Sequence, residues 1–88
     1  MQIEITKKFG RQVDKCQNKK TRAALSKIIR DIQQARNINE IRNIKKLKGF
    51  KNFYRIRIGD YRIGVALKDG KIILAAFDHR SDIYTYFP

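Results

Sequence analysis

Two dipeptides constrain this chain more than any other feature. Gly59-Asp60 and Asp69-Gly70 each interrupt runs of apolar and alternating residues, the signature of two-residue hairpin turns. Such turns fix strand register, because a one-residue slip would carry every side chain to the opposite sheet face. The segments Phe53–Ile58, Tyr61–Lys68 and Lys71–His79 therefore read as a three-stranded antiparallel meander. Closing the first turn sets Ile58 opposite Tyr61, Arg57 opposite Arg62 and Ile56 opposite Ile63. Closing the second sets Lys68 opposite Lys71, Val65 opposite Leu74 and Arg62 opposite Phe77. Alternation then places Tyr54, Ile56, Ile58, Tyr61, Ile63, Val65, Leu74 and Ala76 on a core face. The other face receives Phe53, Arg55, Arg57, Arg62, Phe77 and, past the strand end, His79, around a small floor of Gly64, Ala66 and Ala75. The nearly continuous apolar run from Ile72 to Phe77 predicts a strand covered on both faces.

Upstream, the period changes twice. Ile3 and Ile5 alternate with Gln2 and Glu4 as a short first strand, and from Lys7 onward Phe9, Val13 and Cys16 fall at helical spacing. After a break near Asn18, Ala24, Leu25, Ile28, Ile29, Ile32 and Ala35 form an amphipathic stripe, which predicts a helix from about Lys20 to Arg36. Residues 37–49 read as a basic connector with Asn39 available to cap a turn. Residues 80–88 read as one helical turn or an extended tail. The order β-α-α-β-β-β predicts a single α+β domain over residues 1–88, with two N-terminal helices on one face of a small, mainly antiparallel sheet.

Composition narrows the function classes. No apolar run reaches membrane-spanning length and no signal segment is visible, so a cytoplasmic protein without membrane contact is expected. A single cysteine, Cys16, and a single histidine, His79, argue against an internal disulfide and a zinc site, and no cofactor is expected. Lysine and arginine number 21 against 8 acids, a net charge of +13. That excess opposes a compact fold through self-repulsion, so the expected partners are nucleic acid or an acidic protein segment. The Arg57–Arg62 pairing is a local like-charge conflict, of the kind that anion binding explains. Lys45, Lys46, Lys48 and Lys51 lie just before the meander and can extend the basic patch. His79 and Arg80 close it, and Tyr84 and Tyr86 follow, able to stack on bases or donate hydrogen bonds.

The segments KKLKG, FYRIRIGDYRIGV, DG and FDHRSDIYTYF, in that order, resemble the RelE/ParE toxins of bacterial type II toxin–antitoxin systems. The likeness spans the chain, with its specific part in residues 46–87. It implies the RelE/ParE toxin fold, a single RelE-like domain and a toxin acting as a metal-independent mRNA interferase, cleaving mRNA in the ribosomal A site. On that pattern Arg55, Arg57, Arg62, His79, Arg80 and Tyr84 are the catalytic candidates, and Lys45, Lys46, Lys48, Lys51 and Tyr86 the RNA-binding ones. Arginines stand on the second strand where some relatives carry lysines, and a guanidinium is a poor proton acceptor. Acid–base work then falls to His79 and Tyr84, with Glu40 a weaker candidate for the base. The implied partners are mRNA, the ribosome and a cognate antitoxin whose acidic or amphipathic segment wraps the toxin. ParE-like members instead inhibit DNA gyrase, which is the alternative, alongside a catalytically silent member that only binds antitoxin or RNA.

Overall fold

A computed structural model describes all 88 residues. Strand β1 (Ile3–Ile5) leads into helices α1 (Lys7–Asp14) and α2 (Lys19–Gln34). A 3₁₀ turn (Ile38–Glu40) is followed by β2 (Ile44–Lys46), β3 (Phe53–Ile58), β4 (Tyr61–Lys68) and β5 (Lys71–His79). A last 3₁₀ turn, Ile83–Thr85, ends the chain's regular structure. The sheet runs β1-β5-β4-β3-β2, with β1 parallel to β5 and every other pair antiparallel.

Local chemistry explains the boundaries. Thr6 caps α1, its hydroxyl accepting from Phe9 N at 3.1 Å, and Asn18 caps α2 by accepting from Thr21 N at 3.0 Å. The 3₁₀ turn after α2 is capped by Asn37, not Asn39, because Asn37 Oδ1 accepts from Asn39 N. Within the expected irregular connector, Ile44–Lys46 forms an additional edge strand on β3. Both hairpin turns form as read. Gly59 takes a positive φ (54°) ahead of Asp60, while Asp69 and Gly70 are both positive (52° and 74°), as the two primed hairpin turns require.

The helices cover one sheet face. Phe9, Leu25 and Ile32 pack there on Ile56, Ile63, Val65, Ile72 and Leu74, all at most 4% exposed. The opposite face is covered in part by the C-terminal segment, where Ile83 and Phe87 pack on Ala76, with Leu47, Phe53 and Ala75 around them.

One register expectation is overturned. Val65 does pair with Leu74, but Gly64 pairs with Ala76, so Ala75 is an extra residue on β5, and Arg62 faces Asp78 rather than Phe77. Everything beyond the bulge changes sides. Phe77 joins the helix-covered core and Ala76 leaves it for the cluster under Phe87. His79 pairs with Tyr61, on the helix side, so it does not share a face with the three meander arginines.

Candidate nucleic-acid interface

Register places the basic residues in two cross-strand rows on the face away from the helices. One row is Lys45, Arg55, Gly64 and Ala76; the other is Arg57, Arg62 and Asp78. Lys45–Arg55 and Arg57–Arg62 are both directly opposed like charges, each disfavoured by roughly 0.2–1 kcal/mol. Lys45 thus belongs to the arginine face, because β2 carries it there, while Lys46 pairs with Tyr54 and points to the other side. Lys48 and Lys51 lie in the loop after β2, where residues 45–51 line an open hollow of about 580 Å³.

The guanidinium groups rest mostly on neutral backbone oxygens. Arg55 Nη1 donates to Asn43 O at 3.1 Å, and Arg62 Nη1 donates to Gly59 O at 2.8 Å and Tyr61 O at 2.9 Å. Arg57 is exposed. Arg80 donates its backbone N–H to Asp60 O at 2.8 Å, and its Nε lies 3.9 Å from Asp60 Oδ1, an exposed and weak pair. Carbonyls orient these side chains without neutralising them, and each guanidinium keeps further N–H donors. The face therefore presents free donors that an anion can accept from, and their forked geometry suits a phosphate.

Asp78, across from Arg62, was not singled out in the sequence. Its carboxylate accepts from His79 N and from the Tyr86 hydroxyl, each at 2.8 Å. Tyr86 also accepts from Gln12 Nε2 at 2.7 Å, and Lys8 Nζ lies 3.7 Å from its ring centroid. Partial burial, ahead of the Asp78 and Asp82 charges, raises the Tyr86 pKa above 10.0, with Gln12 working against the shift. Neither Asp78 nor Gln12 has a sequence signal of its own; only the bulge and the α1 docking bring them together.

Tyr84 stands half-exposed on the turn between the buried anchors Ile83 and Phe87. His79 lies beside Tyr61, with ring centroids 5.8 Å apart. Its Nδ1 accepts from Ser81 N at 3.1 Å and sits 2.8 Å from Ser81 Oγ, so the neutral ring carries its proton on Nε2. Glu40 is distant in role: its carboxylate accepts from Arg36 N and pairs with Arg36 Nε at 3.4 Å, closing the turn after α2. No group of three or more histidine, cysteine or carboxylate side chains is placed to hold a metal ion.

Comparison with known proteins bears on this geometry. The family described as the ParE toxin of the type II toxin–antitoxin system parDE matches residues 3–84. Toxin RelE3 of Methanocaldococcus jannaschii is 43% identical over 68 residues, which is 76% of this chain and 77% of that protein. In the crystal structure of a RelB-RelE antitoxin-toxin complex from Methanococcus jannaschii, one chain is 35% identical, with a TM-score of 0.80 over 97% of this chain and 99% of that one. An archaeal RelE-RelB complex from Pyrococcus horikoshii shares the fold at 22% identity and a TM-score of 0.70, over 92% and 96% of the two chains. The match to nearly the whole chain, the close relative and the shared five-stranded architecture together mean that this protein belongs to the RelE/ParE family of type II toxin–antitoxin toxins.

Proposed function

We propose that this toxin is a metal-independent endoribonuclease that cleaves mRNA in the ribosomal A site and is silenced by an antitoxin. The observation that carries the reading is the two directly opposed like-charge pairs, Lys45–Arg55 and Arg57–Arg62, on one sheet face, with Arg80 at its rim and Tyr84 on the turn seated over it. RNA supplies its own nucleophile, the 2′-hydroxyl. The protein must hold the scissile phosphate, stabilise the charge that builds on it and move two protons. In this reading Arg55, Arg57, Arg62 and Arg80 hold the phosphate, and Lys45, Lys48 and Lys51 receive the flanking backbone. Tyr84 handles a proton on the arginine face. His79, whose Nε2 is the ring nitrogen left free by the Ser81 contacts, is the second proton carrier, at the strand end. The products are a 2′,3′-cyclic phosphate and a 5′-hydroxyl. The antitoxin partner follows from the RelB-bound relatives, and the +13 charge suits an acidic wrapping segment.

The test is 5′-end mapping of a defined mRNA in a translation extract, with and without ribosomes. Wild type is expected to cut translated RNA in codon phase, and folded Arg62→Ala to lose at least about a hundredfold in rate, as removal of a transition-state donor does. Cleavage unchanged in Arg62→Ala would sink the site assignment. The ParE description of the matching family supports a second reading, inhibition of DNA gyrase. Intact RNA together with blocked supercoiling would promote it.

A further inference from the structure

The C-terminal segment is held to the domain by two unlike contacts. The first is apolar: Phe87 is 8% exposed, and its ring occupies the space over Gly64, where a Cβ would meet ring atoms at 2.8 Å. The second is polar. β1 ends at Ile5, so α1 rather than a strand lies beside the far half of β5. There Gln12 bridges the open edge, accepting from Phe77 N at 2.9 Å through Oε1 and donating to the Tyr86 hydroxyl at 2.7 Å through Nε2. The Tyr86 hydroxyl in turn donates to Asp78 Oδ2 at 2.8 Å, and Lys8 lies over its ring. Tyr84 lies between Ile83, fully buried, and this pair of anchors, and its own side chain is 48% exposed. The segment that carries Tyr84 is therefore fixed on one side by the buried Phe87 and on the other by the Tyr86 hydroxyl, whose hydrogen bonds run to the protein's own Gln12 and Asp78.

We propose that Tyr86 is a positioning residue: with Gln12 and Asp78 it latches the segment 83–87 so that Tyr84 is held over the arginine face. This rests on the nuclease reading above and reassigns Tyr86 from the RNA contact expected of it in the sequence. A hydroxyl tied to a carboxylate and an amide, on a ring already capped by an ammonium, has neither a free donor nor a free face for a base on that side.

Tyr86→Phe keeps the ring and the Lys8 contact and deletes only the bridge. In single-turnover cleavage of a defined RNA, kcat is expected to fall about tenfold, the effect of losing one hydrogen bond to a charged group. KM should stay within about twofold, since no substrate contact is removed. Gly64→Ala tests the other anchor, because its methyl group displaces Phe87; it should give the same kcat loss, and Phe87→Leu in that background should restore part of it. Amide exchange of residues 83–87 should rise in Tyr86→Phe and Gly64→Ala alike. An unchanged kcat in Tyr86→Phe overturns the proposal, and a raised KM at wild-type kcat returns Tyr86 to RNA binding. If wild type cuts no RNA, the nuclease reading fails separately. The exchange measurement then decides the latch, and unchanged protection of residues 83–87 in both variants defeats it.

Discussion

At the scale of single residues, two side chains show how the same chemistry is sorted by surroundings. Tyr84 and Tyr86 are two positions apart and both reach solvent, yet the Tyr86 hydroxyl is bridged between α1 and β5. The consequence for Tyr86 is a titration that reports on the latch. Its pKa is raised chiefly by partial burial, with Asp78 and Asp82 adding to the shift, while Lys8 over the ring and Gln12 at the hydroxyl are the other groups facing it. A group whose pKa is higher in the folded state stabilises the fold fully below its unfolded pKa and ceases to do so as pH climbs through the folded one. The latch should therefore be intact at neutral pH and loosen only in the alkaline range above about pH 10. Tyrosinate absorbance in a pH titration should show one late-ionising component that is missing in Tyr86→Phe. A component that persists in that variant would assign the shift to another tyrosine. Arg62 makes the complementary point: its partners are carbonyls, so it is oriented but keeps its full charge.

Among the elements, the junction of β1, α1 and β5 decides the most. Thr6 closes β1, caps α1 through Phe9 N, and donates its hydroxyl to Ala75 O at 3.0 Å, at the extra residue of the β5 bulge. One small side chain thus serves a helix end and a strand irregularity together. Thr6→Ala should destabilise the domain by about 1–2 kcal/mol, the usual cost of losing a cap, and Thr6→Ser should recover most of it. Urea unfolding midpoints measure both; an unchanged midpoint in Thr6→Ala would mean that the bulge holds without this bond. The hairpins are simpler. Their turns are set by local backbone preference, which is why the β3–β4 register follows the reading from sequence at every pair from Ile58–Tyr61 back to Ile56–Ile63. The three-residue β2 is the opposite case. Ile44-Lys45-Lys46 is too short for a period to show, and it becomes a strand only because β3 offers an open edge.

For the whole molecule, charge is the governing quantity. A net charge of +13 on 88 residues gives a field that attracts polyanions and acidic segments alike, and the opposed Lys45–Arg55 and Arg57–Arg62 pairs add a local cationic cluster to it. Association with an acidic antitoxin segment should slow on the order of tenfold or more from low to physiological salt, as electrostatically steered encounters do. Stopped-flow mixing at several ionic strengths would show it, and a salt-independent association rate would rule steering out. What the sequence by itself determined is what short-range physics controls. It specified the break near Asn18, the two hairpin turns, the Arg57–Arg62 pairing and most of the apolar face under the helices, each dictated by residues within a few positions of one another. Only the tertiary structure decided the rest. The bulge at Ala75 is held by Thr6, 69 residues away, and the β5 edge beyond it by Gln12, 65 residues from Phe77. That one added residue turned Phe77 and His79 toward the helix side and set Asp78 across from Arg62. Alternation carries side-chain direction along a strand only while the backbone stays regular, and the contact that breaks it here comes from the other end of the chain.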